Sequence, residues 1–332
     1  MASPRGPEAS FHTAELTIAS ALAGLTQAER RDLDLRVYLT STNATETSPL
    51  HQSVGYLVNR IFTRQTATST DEHELLHELE RQGQNGHKAA LDYAYALQSC
   101  FEQSESPYIA VLEDDILMAD GWLARTRLAL QEIEGRSGGT WLDLRLFNQV
   151  RSLGWGSRQI IRRNAVLLIA IICSIIVGGA FISKRRTQQK GLAVPTILVL
   201  CLVTVPAFVT LFFQAGKASI LPPRHEVSEQ AWGPCTQGNV FARSQVPGLI
   251  EAVRKDAPHK AHDLIILDHA ALNSLTRYVL TPPQIQHIGF HSVVSPSRPQ
   301  DEFPWSVAFE DQSAASLANE HVEMVRKLYH VQ

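Results

Sequence analysis

Two long stretches without a single charge, set close together in mid-chain, restrict the folds open to this sequence more than any other feature. Residues 165–183 read AVLLIAIICSIIVGGAFIS, and residues 192–213 read LAVPTILVLCLVTVPAFVTLFF. Each approaches or exceeds the ~20 apolar residues that cross the roughly 30 Å hydrocarbon layer of a bilayer. A buried helix of a water-soluble domain explains one such run, but two in tandem argue against it. Pro195 and Pro206 point the same way, because they break soluble helices and are tolerated within membranes. Residues 184–191, KRRTQQKG, lie between the runs and carry Lys184, Arg185, Arg186 and Lys190. The reading is a transmembrane hairpin with a short basic loop, and its first expected partner is a lipid bilayer.

Charge alone does not orient this hairpin. Arg158, Arg162 and Arg163 precede it and Lys217 and Arg224 follow it, so both sides are basic. The sequon Asn43-Ala44-Thr45 is usable only on the lumenal side, which favours lumenal flanks and a cytosolic loop, with Asn43 as a glycosylation site. The opening MASPRGPEAS is polar and does not read as a signal peptide. The net charge of −3 offers no electrostatic footprint for nucleic acid. At 332 residues and 44% hydrophobic content, the chain can bury one large core or two smaller ones.

The chemistry points to residues 107–122, PYIAVLEDDILMADGW. Tyr108 to Leu112 has the apolar, β-branched pattern of a buried strand. Where it stops, Glu113, Asp114 and Asp115 stand in a row. Carboxylates crowded at a strand end repel one another. A hard cation such as Mg²⁺ or Mn²⁺ relieves that repulsion, and an acidic turn facing water also explains it.

Before this stretch, residues 12–25 have helical spacing at Ile18, Leu22 and Leu25, and Thr26 to Glu29 fits a capping box. Leu33 to Leu39 reads as a strand running into the polar loop Thr40 to Thr47. His51 to Phe62 fits a helix or a strand. A short helix is expected around Leu75 and Leu76. A longer one follows over Lys88 to Cys100, with Leu91, Ala94, Tyr95 and Leu97 as its buried stripe. Beyond the carboxylates, Leu123 to Ile133 is helical and Thr140 to Phe147 alternates like a strand. After the hairpin come strands at Asn239 to Phe241 and Tyr278 to Leu280, and helices over Val246 to Arg254 and Asp263 to Leu272. Alternating strands and helices predict an α/β sheet with helices on its faces. The economical organisation is an amino-terminal helical segment (1–32) and one catalytic domain in two parts, 33–157 and 222–332, interrupted by the hairpin.

An acidic triplet at a strand end in an α/β unit resembles a GT-A glycosyltransferase. The interrupting hairpin is similar to that of the Golgi GPI-anchor N-acetylgalactosamine transferase family. DYAYALQSC before the metal strand, VLEDD itself, PCTQGNVF after the hairpin and QHIGFHS near the end carry the resemblance, over roughly residues 15–295. The last two segments also resemble the N-glycan GlcNAc-transferase IV family. The resemblance implies a Golgi membrane enzyme moving a sugar from a UDP-sugar donor to a GPI-anchor glycan acceptor, with Mn²⁺ or Mg²⁺ as cofactor. It also implies an amino-terminal membrane anchor, for which the polar opening offers no candidate.

Within that expectation Asp115, Asp114 and Glu113 would hold a metal that neutralises the diphosphate leaving group. By resemblance His287 returns to the same site; an ordinary loop histidine is the alternative. An inverting transfer needs a carboxylate base. Asp263 opens an apolar helix and suits that task, with Asp268 behind it, although an aspartate there is also a normal cap. Thr40, Lys88 and Asp92 are expected to help hold the nucleotide, unless Lys88 and Asp92 are simply a solvated helix face. Cys173 and Cys201 lie in the apolar runs and read as packing residues. Cys100 and Cys235 lie on the two soluble parts, either as free thiols or as a disulfide clamping them. Two other functions stay open: an N-glycan GlcNAc-transferase-like enzyme, and a catalytically inactive membrane scaffold of the same fold.

Overall fold

The computed structural model describes residues 7–42, 48–64, 70–148, 158–187, 193–215, 226–230, 233–289 and 305–330. They form two compact units, one from Met1–Asn148 with Arg224–Gln332, the other from Gln149–Pro223.

The first unit is mixed α/β. Its centre is a five-stranded sheet of β3 (Tyr108–Leu112), β5 (Trp141–Arg145), β6 (Glu226–Glu229), β7 (Gly238–Ala242) and β8 (Thr276–Thr281), in the order β3-β7-β5-β8-β6. β5 and β8 run parallel; the other neighbours are antiparallel. Strands from before and after the hairpin are interleaved, so β7 lies between β3 and β5.

Side-chain alternation along these strands divides the interior into two cores. Val240 and Ala242 of β7 join Trp141, Leu144 and Tyr278 under helix α6 (Trp122–Ser137). Phe241, between them, points to the other face with Ile109 and Leu142. That face is covered by α4 (Thr70–Arg81), α5 (Asn85–Gln103), α10 (Val246–Asp256) and α11 (His262–Leu272). Ala90, Ala94 and Leu97 of α5 are fully buried there. Each fully buried leucine or phenylalanine contributes about 2 kcal/mol.

A buried ion pair locks the middle of the sheet. Arg277 donates from Nε and Nη2 to the two carboxylate oxygens of Asp143, each at 2.8 Å, and Asn239 Nδ2 adds a third bond at 2.9 Å. Asp143 and Arg277 are 0% and 2% exposed. Removing the carboxylate strands a guanidinium away from water. Asp143→Ala should therefore cost about 3–5 kcal/mol, read as a lowered midpoint of chemical unfolding in detergent.

Strands β1 (Arg36–Leu39) and β2 (Arg60–Thr63) stand apart as a parallel pair. This corrects the expectation that residues 33–150 feed one sheet. Leu35, Val37 and Leu39 find apolar cover elsewhere, on Ala14 and Ile18 of α1 (Pro7–Leu22) and on Leu50 and Val54 of α3 (Ser48–Val54). The ambiguous stretch His51 to Phe62 holds both alternatives, the end of α3 and the start of β2. The capping box is present: Thr26 accepts from Glu29 N–H at the start of α2 (Gln27–Asp32), and Glu29 returns to the Thr26 N–H.

Residues 1–32 belong to this same unit, and α1 acts as a substitute strand. β4 (Ile116–Met118) pairs on one edge with β9 (Ile285–His287). On its other edge Thr17 Oγ1 accepts the Ile116 N–H at 3.0 Å and donates to the Ile116 carbonyl at 2.8 Å, while Ser20 Oγ accepts from Met118 N–H. The last helices, α12 (Val307–Glu310) and α13 (Ala314–Tyr329), were not read from the sequence, and neither was β6. His321 of α13 is buried with Nε2 3.0 Å from Glu29 and Nδ1 3.0 Å from Asp120.

The second unit is a helical pair. α7 (Arg158–Thr187) contains Asn164–Ser183, with mean hydropathy 2.9 and none of that window buried by protein. Its partner runs as α8 (Val194–Val199), a π-helical turn (Leu200–Thr204) and α9 (Val205–Ala215). Val194–Phe213 has mean hydropathy 2.5 and is 11% buried. Both are long and apolar enough to cross a membrane.

Pro195 sits harmlessly in the first turn. Pro206 explains the widened turn. Val205 N–H bonds the Leu200 carbonyl five residues back. In that register the next acceptor is the Cys201 carbonyl, and residue 206 has no N–H to give. Cys173 supplies the missing donor from α7, its Sγ 3.6 Å from the Cys201 oxygen. An unsatisfied carbonyl in hydrocarbon costs several kcal/mol, so this thiol does more than fill space.

Candidate metal centre and the adjoining cavity

The acidic triplet follows β3 directly, and backbone pairing fixes where each carboxylate goes. Glu113 N–H bonds the Gln237 carbonyl at 3.0 Å, carrying the β3–β7 ladder one step further and laying Glu113 beside Thr236. Three residues on, at Ile116, β4 begins, and its register sets Ile116 opposite His287. Ile288 N–H then bonds the Asp115 carbonyl at 2.8 Å. His287 Nε2 ends 3.3 Å from Asp115 Oδ2. Glu113, Asp115 and His287 offer ligand atoms that all lie within 4.8 Å of one another.

Two carboxylates and an imidazole suit a divalent cation of the Mn²⁺ type. A second observation fits. Gly289 passes so close that a Cβ there would lie 1.8 Å from Asp115 Oδ2 and 3.1 Å from His287 Nε2. Bare backbone is needed to leave that space. Asp114, the middle residue of the triplet, is not part of the trio; it lines the neighbouring cavity.

Electrostatics set Glu113 apart within the trio. Removal from water pushes the Glu113 carboxyl up to about 7, and repulsion from Asp115 adds to it. His287 and a hydrogen bond from Thr236 pull the other way. That bond runs from Thr236 Oγ1 to Glu113 Oε1 at 2.9 Å. Thr236 Oγ1 also lies 3.2 Å from Nε2 of His262, whose burial brings it down to about 4. Neither Thr236 nor His262 stood out in the sequence. Each is a lone polar residue that matters only through contacts distant in the chain.

A cavity of about 180 Å³ opens beside the trio. It lies between β1, α1, α5 and β3, with Ala14, Ala21, Ala89, Ala96 and Ala110 making its walls low and Glu113 and Asp114 on its lining. Thr40 and Asp92, expected at a nucleotide, line it as well. Lys88 is not among the lining residues. Its ammonium donates to the Thr40 carbonyl at 2.7 Å and to Asp92 at 3.0 Å, while Tyr38 Oη donates to the other Asp92 oxygen at 2.8 Å. Lys88 and Asp92 are each 6% exposed, which corrects the solvated-face reading.

Asp263 lies half-buried in the first turn of α11, with Oδ1 accepting the Leu264 N–H at 2.8 Å. It is the preceding residue, His262, that this helix brings to Thr236. Asp268 pairs with Lys260 on the surface. Asn43 lies outside the described residues. Cys100 and Cys235 are free thiols, which corrects the disulfide alternative. Cys235 belongs to the core under α6 and Cys100 packs against the core on the opposite sheet face, so the sheet separates them.

The fold and these residues define a membrane-attached α/β protein with a carboxylate–imidazole trio at a strand end beside a narrow cavity. Compared with known families, residues 10–286 match the one described as GPI-N-acetylgalactosamine transferase PGAP4, and the chain belongs to that family. The match spans α1 to β9, takes in Glu113 and Asp115, and stops one residue short of His287. No curated protein and no solved structure matches the chain. Membership makes it a glycosyltransferase of the GPI-anchor class, as the sequence resemblance implied.

Proposed function

We propose that this chain is a metal-dependent, GT-A-type glycosyltransferase that moves N-acetylgalactosamine or another hexose from a UDP-sugar to the mannose core of a GPI anchor, with inversion. It would work in the Golgi membrane with both soluble parts lumenal. The observation that carries the reading is the convergence of Glu113, Asp115 and His287 where the cavity meets the end of β3.

In this reading the three side chains hold Mn²⁺ or Mg²⁺, which supplies charge neutralisation for the departing diphosphate. The low alanine walls leave a slot for the flat base, with Asp92 and the Thr40 segment at its side. Lys88 acts indirectly, by fixing Asp92 against Thr40. Asp263 is assigned as the base that takes the acceptor hydroxyl proton. It stands at the positive end of α11, one residue from His262. The interleaved sheet supports a shared compartment for the soluble parts, since two crossings return the chain to its starting side.

The decisive experiment measures UDP release and sugar transfer by the purified full chain, with UDP-sugars and a mannosylated GPI glycan, in Mn²⁺ and in EDTA. Mass spectrometry of GPI glycans from cells with and without the gene identifies the sugar added. Transfer unaffected by EDTA would remove the metal from the reading.

The pH dependence has a defined sign. A cation must displace the Glu113 proton, so Mn²⁺ affinity should climb about tenfold per pH unit below about 7 and level off above it. The metal-free fold should show the opposite trend. Its Glu113 value of about 7 lies above the ordinary 4.5, so the stability from protonation is full below 4.5 and lost as pH rises through about 7. Calorimetric titration and thermal unfolding across that range check both.

A further inference from the structure

We infer that Thr236 and His262 are positioning residues for the cation trio, setting the Glu113 carboxylate from behind through two successive hydrogen bonds. The inference rests on the cation reading above and adds to it residues that no comparison assigns.

The order of donors follows from counting protons. Thr236 has one hydroxyl proton, and Glu113 as a cation ligand is ionised and can only accept, so in the cation-bound form the hydroxyl gives its proton to Oε1 at 2.9 Å. The contact at 3.2 Å between Thr236 Oγ1 and His262 Nε2 must then run from the imidazole N–H to the hydroxyl oxygen. That fixes the His262 tautomer with its proton on Nε2.

Both members are held rigidly. The His262 ring stacks on Tyr93, with centroids 4.8 Å apart and planes at 27°, and Tyr93 meets Phe241 edge-on at 6.3 Å. On the other side, Cys235 N–H bonds the Gly233 carbonyl at 3.1 Å, and Arg145 Nη1 bonds that same carbonyl at 2.9 Å. Gly233 has no side chain in the way: a Cβ there would meet Arg145 Nη1 at 1.8 Å. Glu113 faces Asp115, a like charge, so a carboxylate free to rotate would turn away from it. The Thr236 bond stops that rotation. Groups in this relation to a metal ligand are worth 10–100-fold in affinity as a rule.

The test is Mn²⁺ affinity of the purified full chain, by paramagnetic resonance or calorimetry, for wild type, Thr236→Val, Thr236→Ser and His262→Gln. Valine keeps the volume and loses the hydroxyl; serine keeps the hydroxyl; glutamine offers an amide N–H near the Nε2 position. Thr236→Val should bind Mn²⁺ about 10–100-fold more weakly, Thr236→Ser should stay within about threefold of wild type, and His262→Gln should fall between. In turnover, Thr236→Val should need proportionally more Mn²⁺ for half-maximal rate while its rate at saturating Mn²⁺ recovers, a split that a packing defect would not give. Unchanged Mn²⁺ affinity in Thr236→Val at native melting temperature overturns the inference. Should that variant fail to fold, wild-type Mn²⁺ affinity in His262→Phe, which keeps a ring stacked on Tyr93 and has no N–H to give Thr236, overturns it as well. Wild type that binds no Mn²⁺ is a different result, and sinks the cation reading itself.

Discussion

Replacing Asp115 by alanine should cut sugar transfer by about a thousandfold or more, roughly 4 kcal/mol of transition-state stabilisation. It should leave the protein folded and membrane-bound. In the proposed mechanism the loss falls on catalysis, because Asp115 would help hold the cation that neutralises the departing diphosphate. Stability should hold or rise slightly, since Asp115 repels Glu113 and helps push its carboxyl up. Initial rates at saturating donor, with thermal unfolding of the same preparation, separate the two effects. Gly289→Ala approaches the trio from the opposite side. It removes no ligand, yet its Cβ would lie 1.8 Å from Asp115 Oδ2. A loss of similar size is expected. Wild-type turnover in both variants would take the trio out of the mechanism.

The second large effect concerns the membrane segment. Replacing residues 165–213 by a short soluble linker should leave activity on a free glycan acceptor within a fewfold of wild type. Activity on the same glycan carried by a lipid in vesicles should fall about a hundredfold or more. The first expectation rests on the soluble unit having two cores of its own, both built across the break in sequence. Linker length matters little to closure, at about 0.6 kcal/mol per doubling. The second rests on effective concentration, because tethering enzyme and acceptor to one bilayer raises avidity by orders of magnitude without any new contact. Equal losses on both acceptors would show that the hairpin is required for the catalytic fold.

The sequence revealed most where a local pattern had a single explanation. Tyr108 to Leu112 was bracketed by Pro107 and Glu113 and is β3 over those same residues. The uncharged runs 165–183 and 192–213 gave the apolar spans Asn164–Ser183 and Val194–Phe213 closely, but not the full length of α7, which runs on into charged residues from Arg158 to Thr187. The stretch His51 to Phe62 was ambiguous because a helix and a strand share it. β6, Glu226–Glu229, carries glutamates at both ends and little apolar character of its own; its place comes from pairing with β8. The site was half legible. Glu113 and Asp115 declared themselves by repulsion, and His287 by resemblance. Asp114 could not be told from its neighbours until chain direction turned it toward the cavity. Thr236 lies 123 residues from Glu113, and His262 another 26 on, so no local spacing could have joined them.

The interleaving of strands also dictates a timetable during synthesis. β3 and β5 are complete once Arg145 has been made, but the strand that belongs between them starts at Gly238. At ~5–20 residues per second, the ribosome needs about 5–20 s to cover that interval, much of it occupied by inserting two apolar helices. Throughout, β3 and β5 present unpaired edges and the half-built cores lie open. Such edges are templates for pairing with the wrong chain. Newborn chains should therefore depend on chaperones that cover these strands until β7 arrives. Truncation between residues 148 and 238 should give a product that is degraded or aggregated, with no stable half-domain to recover.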